Sequence, residues 1–195
     1  MSKLCLLVHG FNVRDGGAGT IGRLTPFFIA RGWDTVIFKM GFINLIEVYT
    51  SNDKYAQRLA EAAVNAKKLG QQVVAVGHSN GCAVIHLATT RFNAPFDAVT
   101  YINPALDNTL QPAAHIPKWT VWYSPSDWAV KLARFMPRNI WGHMGATGYV
   151  GRFDPRLTQY DKESMEVSSS KHSDFAKAEK LSYFGKLITE DTIDE

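Results

Sequence analysis

The sequence predicts an α/β protein: a three-layer α/β/α sandwich on a mostly parallel central sheet. Three observations carry this reading. Short apolar runs rich in β-branched and aromatic residues alternate with segments of helical period along the chain. Several of the runs are apolar almost throughout, as parallel strands covered on both faces must be. No repeat, low-complexity stretch or linker interrupts the alternation over 195 residues, a length that suits one domain with a sizeable core. Residues 1–188 are expected to form that domain, and the acidic TEDTIDE, 189–195, a frayed tail.

The first strand is KLCLLV (Lys3–Val8). LTPFFIARG follows as a helix, with Pro26 in its first turn, where a missing N–H is tolerated. WDTVIFK (Trp33–Lys39) is the second strand. In SNDKYAQRLAEAAVNAKKLG, Tyr55, Leu59, Ala62, Ala63 and Ala66 share a helix face. Ser51 to Asp53 offer capping groups there, and Gly70 suits the stop. QVVAV (Gln72–Val76) and the helix GCAVIHLATT come next, then strands DAVTYI (Asp97–Ile102) and WTVWY (Trp119–Tyr123). A last strand is placed near SMEVS (Ser164–Ser168). DFAKAEKLSYFGKLI closes the chain as a helix, with Phe175, Ala178, Leu181 and Ile188 on one side.

Composition narrows the function classes. The 21 basic and 18 acidic side chains leave a formal charge of +3 with no block of like charge, so no nucleic-acid footprint is expected. No stretch approaches the ~18 apolar residues of a membrane span. MSKLCLLVHG is too short in its apolar run to be a signal segment. A cytoplasmic protein without stable membrane insertion is expected. Cys5 and Cys82 form no CxxC and are expected as reduced core residues. No His, Asp or Glu group has metal-ligand spacing, so neither metal nor cofactor is expected.

The most informative stretch is VVAVGHSNGCA, which places Gly77-His78-Ser79-Asn80-Gly81 between a strand and a helix. A serine nucleophile at such a turn needs glycines two residues to either side, because side chains there would collide with the neighbouring strand and helix. Its hydroxyl also needs a base, and the base an orienting carboxylate. Asp127 lies in the turn after WTVWY, and His172 lies before the final helix, so the order Ser79, Asp127, His172 is satisfied. Asp107, in NPALD, also follows a strand and is an alternative acid. An oxyanion intermediate needs two N–H donors. The backbone amides of Asn80 and of Phe11, in LVHGFNVRDGGAG, fit those places. His9 is expected to hydrogen-bond beneath that loop, and His78 to shape the turn.

With HGF after a strand, GHSNG at the turn, and Asp127 and His172 in order, the chain resembles the α/β hydrolases from Lys3 to about Ile188. That resemblance implies their fold, with Ser79 as nucleophile, His172 as base and acid, and Asp127 as the orienting carboxylate. Only sixteen residues, NPALDNTLQPAAHIPK, separate the strands ending at Ile102 and beginning at Trp119, so little or no cap is expected. Phe42, Leu45, Trp128, Phe135 and Trp141 follow strand ends and are candidate pocket residues, favouring an apolar acyl group. The expected activity is hydrolysis of a small-molecule carboxylic ester or thioester through an acyl-enzyme on Ser79. The alternatives are an amidase or peptidase with the same residues, and a catalytically silent binding module on the same fold.

Overall fold

Successive residues of the apolar runs face opposite sides of one sheet, and both sides are covered. In the computed structural model, which describes residues 2–11, 13–40, 45–133 and 141–193, the strands are β1 (Lys3–Val8), β2 (Asp34–Phe38), β3 (Gln72–His78), β4 (Ala98–Ile102), β5 (Trp119–Tyr123) and β6 (Leu157–Asp161). They pair in the order β2-β1-β3-β4-β5-β6, every pair parallel. The helices among the described residues are α1 (Thr25–Ile29), α2 (Leu45–Lys68), α3 (Asn80–Phe92), α4 (Trp128–Ala133), α5 (Met144–Thr147) and α6 (Ala178–Ile193). Leu6 and Val8 of β1, with Val73 and Ala75 of β3, pack against Leu59 and Ala63 of α2 and Val84 and Ile85 of α3. Cys5, Leu7, Val74 and Val76 point the other way, onto Phe28 of α1 and Phe184 and Ile188 of α6. The result is the expected three-layer sandwich. No described helix is long and apolar enough to cross a membrane.

From β1 the chain runs outward to β2 and then back across β1 to form β3. The direction of winding therefore reverses between β1 and β3, the place where open parallel sheets hold ligands at their carboxyl ends. The register levels those ends: Val8 lies beside Gly77, and His78 beside Ile102. Between β4 and β5 the chain makes only turns, so no cap stands over this crevice from that segment.

Four sequence expectations are corrected. The last strand is Leu157–Asp161, not 164–168. β6 is an edge strand whose residues are half-buried or exposed, so LTQYD shows no apolar run. The apolar side chains of SMEVS, Met165 and Val167, instead pack from a loop onto the α1–α6 side of the core. Second, α2 begins at Leu45, so Ser51 to Asp53 lie inside the helix and do not cap it. Third, the closing segment breaks at Lys177, in extended conformation after a 3-10 turn at Asp174–Ala176. The helical phase resets there, and Ala178 is exposed while Phe184 and Ile188 are buried. Fourth, α6 continues through the acidic tail to Ile193. Thr189 and Thr192 face inward, and the Thr192 hydroxyl meets that of Thr100 in β4 at 2.8 Å.

A very close backbone contact joins β1 to the start of α3. A Cβ on Gly81 would lie 2.3 Å from the Val8 carbonyl oxygen and 2.6 Å from that of His9. On the other side of the turn, a Cβ on Gly77 would lie 2.9 Å from the Cys82 amide nitrogen. Since backbone and not a flexible side chain occupies that space, Gly81→Ala is expected to lower the unfolding free energy in urea by about 3 kcal/mol or more.

Candidate active site

Ser79 sits where β3 turns into α3, with φ 57° and ψ −123°, a conformation that a residue with a side chain adopts only when its surroundings enforce it. Here they do. The Ser79 amide donates to the Ile102 carbonyl at 3.0 Å, and its own carbonyl accepts from the amides of Cys82 (3.1 Å) and Ala105 (3.3 Å). The serine side chain is thereby presented at the N-terminus of α3, whose first amides have no intrahelical partner and carry partial positive charge.

Asp127 lies in the turn after β5 and is fully buried. Its Oδ2 accepts from His172 Nδ1 at 2.7 Å and from Asn103 Nδ2 at 2.7 Å, and its Oδ1 from the Val130 amide at 3.2 Å. Burial pushes the carboxyl upward, but the bonds from His172, Val130 and Asn103 outweigh it and hold the pKa below the ordinary carboxylate value. The alternative acid, Asp107, is exposed and spends Oδ1 on the amide (2.9 Å) and hydroxyl (2.5 Å) of Thr109, a local turn contact. With Nδ1 donating to Asp127, the other ring nitrogen of His172 carries the lone pair. The His172 carbonyl is held by Nε2 of His78 at 3.0 Å, and the two rings lie 4.7 Å apart. Burial, and next the neighbouring His172, push His78 down to about 3, so it is neutral and braces the loop.

The loop after β1 closes the other side. His9 is buried; its Nε2 accepts from the Met40 amide at 3.2 Å, so Nδ1 carries the proton and donates to the Gly10 carbonyl at 2.9 Å. In a planar trans peptide, the Phe11 N–H points opposite to that carbonyl. Gly10 lies so close to the serine that a Cβ there would come 2.9 Å from Ser79 Cβ. Phe11 packs on Trp141 with ring centroids 5.2 Å apart. Trp141 Nε1 donates to Asn80 Oδ1 at 2.8 Å, while Asn80 and Asn52 exchange amide hydrogen bonds at 3.1 Å in each direction. The Asn80 side chain is thus anchored, leaving its backbone amide at the mouth of α3.

These parts enclose a pocket of about 440 Å³ lined by Phe11, Ser79, Ala105, Trp128, Ala129, Val130, Trp141 and His172. Of the pocket residues expected from sequence, Trp128 and Trp141 line it. Phe42 and Phe135 lie outside the described residues, as does the Leu45 side chain. Ala105 and Val130 belong to the wall although nothing in their sequence context marks them.

The sequence reading also missed a buried cation. Lys162, the residue after β6, is fully buried, and its ammonium donates to Asn103 Oδ1. That bond fixes which end of the Asn103 amide faces Asp127, so the chain Lys162–Asn103–Asp127–His172 is continuous. Asn103 itself holds a positive φ of 45°. Next to Lys162, the Glu163 carboxylate grips the acid-bearing turn, accepting from Ser124 Oγ and the Ser126 amide at 2.5 Å and from Ser126 Oγ at 3.0 Å. Burial lowers the Lys162 pKa from 10.5 to about 8, against the pull of Asp127, Asp174 and Glu163. Because the folded chain then binds fewer protons than the unfolded chain between those values, this group's contribution to stability rises with pH across that window. The unfolding free energy of the wild type minus that of Lys162→Met, from urea titrations, is therefore expected to increase from pH about 8 to about 10.5.

No protein-family model matches the chain, and no curated protein matches it in sequence. Solved structures do match. A protein from Xanthomonas campestris pv. campestris, described as a hydrolase of the alpha/beta superfamily, aligns over 96% of this chain and 99% of its own, at 19% identity and a TM-score of 0.54. Dienelactone hydrolase from Anabaena variabilis aligns over 97% and 85%, at 15% identity and a TM-score of 0.60. Lipase B of Aspergillus fumigatus aligns over 90% of this chain and 49% of its own, at 12% identity and a TM-score of 0.59. The fold of this chain is that of the α/β hydrolases.

Proposed function

We propose that the protein is a serine hydrolase that cleaves a carboxylic ester or thioester through an acyl-enzyme on Ser79. The observation that carries this is the 2.7 Å bond between His172 Nδ1 and the buried Asp127, with His172 and Ser79 on the wall of one pocket. In this reading the Ser79 hydroxyl passes its proton to His172 Nε2 as its oxygen attacks the substrate carbonyl. The amides of Phe11 and Asn80 receive the oxyanion, each worth roughly 3–4 kcal/mol of barrier in enzymes where a donor was removed. His172 then protonates the departing oxygen or sulfur. A water, deprotonated by the same nitrogen, releases the acyl group and restores the serine. Asp127 keeps His172 in the required tautomer, and His9 aims the Phe11 amide by holding the Gly10 carbonyl.

An apolar acyl group is favoured by the pocket wall of Phe11, Ala105, Val130 and Trp141. Two of the structural neighbours bear names of ester-cleaving type, a dienelactone hydrolase and a lipase, which agrees with this choice over an amide. The test is hydrolysis of p-nitrophenyl acetate, butyrate and octanoate, together with labelling by a fluorophosphonate. Turnover is expected to vanish in Ser79→Ala and His172→Ala, and to fall about 10³- to 10⁴-fold in Asp127→Asn, as in other triads. Labelling of the wild type without ester turnover would move the reading to amides. A folded protein that is neither labelled nor active would be a binding module, and the proposal would fail.

A further inference from the structure

A second groove, of about 390 Å³, opens on the other side of His172 and is walled by Gly19, Thr20, Arg23, Lys171, Asp174 and Lys177. It shares His172 and Trp128 with the pocket that holds Ser79, and Trp128, 62% exposed, stands as the partition between the two. This arrangement gives the two halves of a substrate different surroundings. The first pocket is aromatic and aliphatic; the second is cationic.

The charges in the second groove do not cancel. Asp174 is taken up by two lysines, Lys177 at 2.9 Å and Lys180 at 3.4 Å. On the Gly19 wall, the Asp15 carboxylate is turned to the amides of Gly17 (2.9 Å) and Gly19 (2.7 Å). Arg23 and Lys171 remain, and neither has an ion-pair partner among the described residues. One Nη of Arg23 donates to the Ala176 carbonyl at 2.6 Å, which fixes the guanidinium against the groove and leaves its other donors for a ligand. Lys171 is the residue before His172 and is exposed.

Chemistry decides which half goes where. The group that His172 protonates must leave from beside His172, and the groove that shares His172 but not Ser79 is the cationic one. We propose that this groove is a leaving-group subsite, and that the substrate is an ester or thioester of an apolar acid with an alcohol or thiol carrying a carboxylate or phosphate. The inference rests on the serine-hydrolase reading above for its assignment of the departing half. Trp128 offers a flat apolar shelf to the body of that leaving group, and Arg23 and Lys171 take its anion.

The experiment compares three butyrate esters whose phenol leaving groups carry a para carboxylate, a para phosphate or a neutral para carboxamide. The wild type is expected to show a kcat/KM for the anionic esters about five- to tenfold above the neutral one, as one or two partly exposed ion pairs provide. The preference should shrink at about 0.5 M NaCl. Lys171→Glu is expected to bring the ratio to one or below, and Lys171→Met to an intermediate value. Preference for both anions supports a site that reads charge, and preference for one identifies the group it takes. Ser79-dependent turnover of all three esters at equal kcat/KM, or a ratio unmoved by Lys171→Glu, would overturn the subsite and leave the hydrolase reading standing. Should no ester be cleaved, tryptophan quenching by para-hydroxybenzoate against para-hydroxybenzamide separates the two ideas. Selective, Lys171-dependent binding of the anion would keep an anion site beside His172 while its leaving-group role fell with the ester reading; equal binding would overturn the anion site as well.

Discussion

The first turn of α3 lies against the carboxyl end of β1 with no side chain between them, and the geometry of the site follows from that contact. Gly81 faces the Val8 and His9 carbonyls directly. Bringing the two backbones this close forces the chain to leave β3 through a single strained residue, and Ser79 is that residue. The same proximity sets the loop after β1 beside the serine, where a Cβ on Gly10 would come 2.9 Å from Ser79 Cβ. Precision at this end of the sheet is thus a property of backbone packing.

The opposite side of the site depends on buried charge. Asp127 is out of contact with water, and a bare carboxylate there would be strongly disfavoured. Three donors and a cation two bonds away keep it ionised, and each comes from a different part of the chain: His172 from the loop before α6, Val130 from α4, Asn103 from the end of β4, and Lys162 from the end of β6. The lysine is itself buried, and the network is complete only when all members are present.

How much of this could be read from sequence follows from how local each signal is. The strands β1, β3, β4 and β5 were legible because both faces are covered, which leaves apolar residues at most positions, and the edge strand β2 was legible through its run Val36-Ile37-Phe38. The glycine-flanked serine was legible because two glycines and a turn are adjacent in the chain. Asp127 and His172 were legible only through the order that the chemistry imposes and through their places after strands. β6 was displaced because an edge strand with one wet face needs few apolar residues. Lys162 and Asn52 carried no signal: a lysine in QYDKE looks like a solvated charge, and Asn52 lies 28 residues from the Asn80 that it holds. Contacts of this kind exist only after the sheet has assembled.

Among the described residues β6 pairs with β5 alone, and it is also the strand that delivers Lys162 and Glu163 to the turn that carries Asp127. An edge can fray while β1, β3 and β4 stay paired, because local opening needs only a fraction of the free energy of global unfolding. The durability of the site is therefore that of the sheet's margin and not of its centre. Protection against hydrogen exchange of the Lys162 amide, bonded to the Tyr123 carbonyl, and of the Ser169 amide, bonded to the Lys162 carbonyl, reports that durability directly.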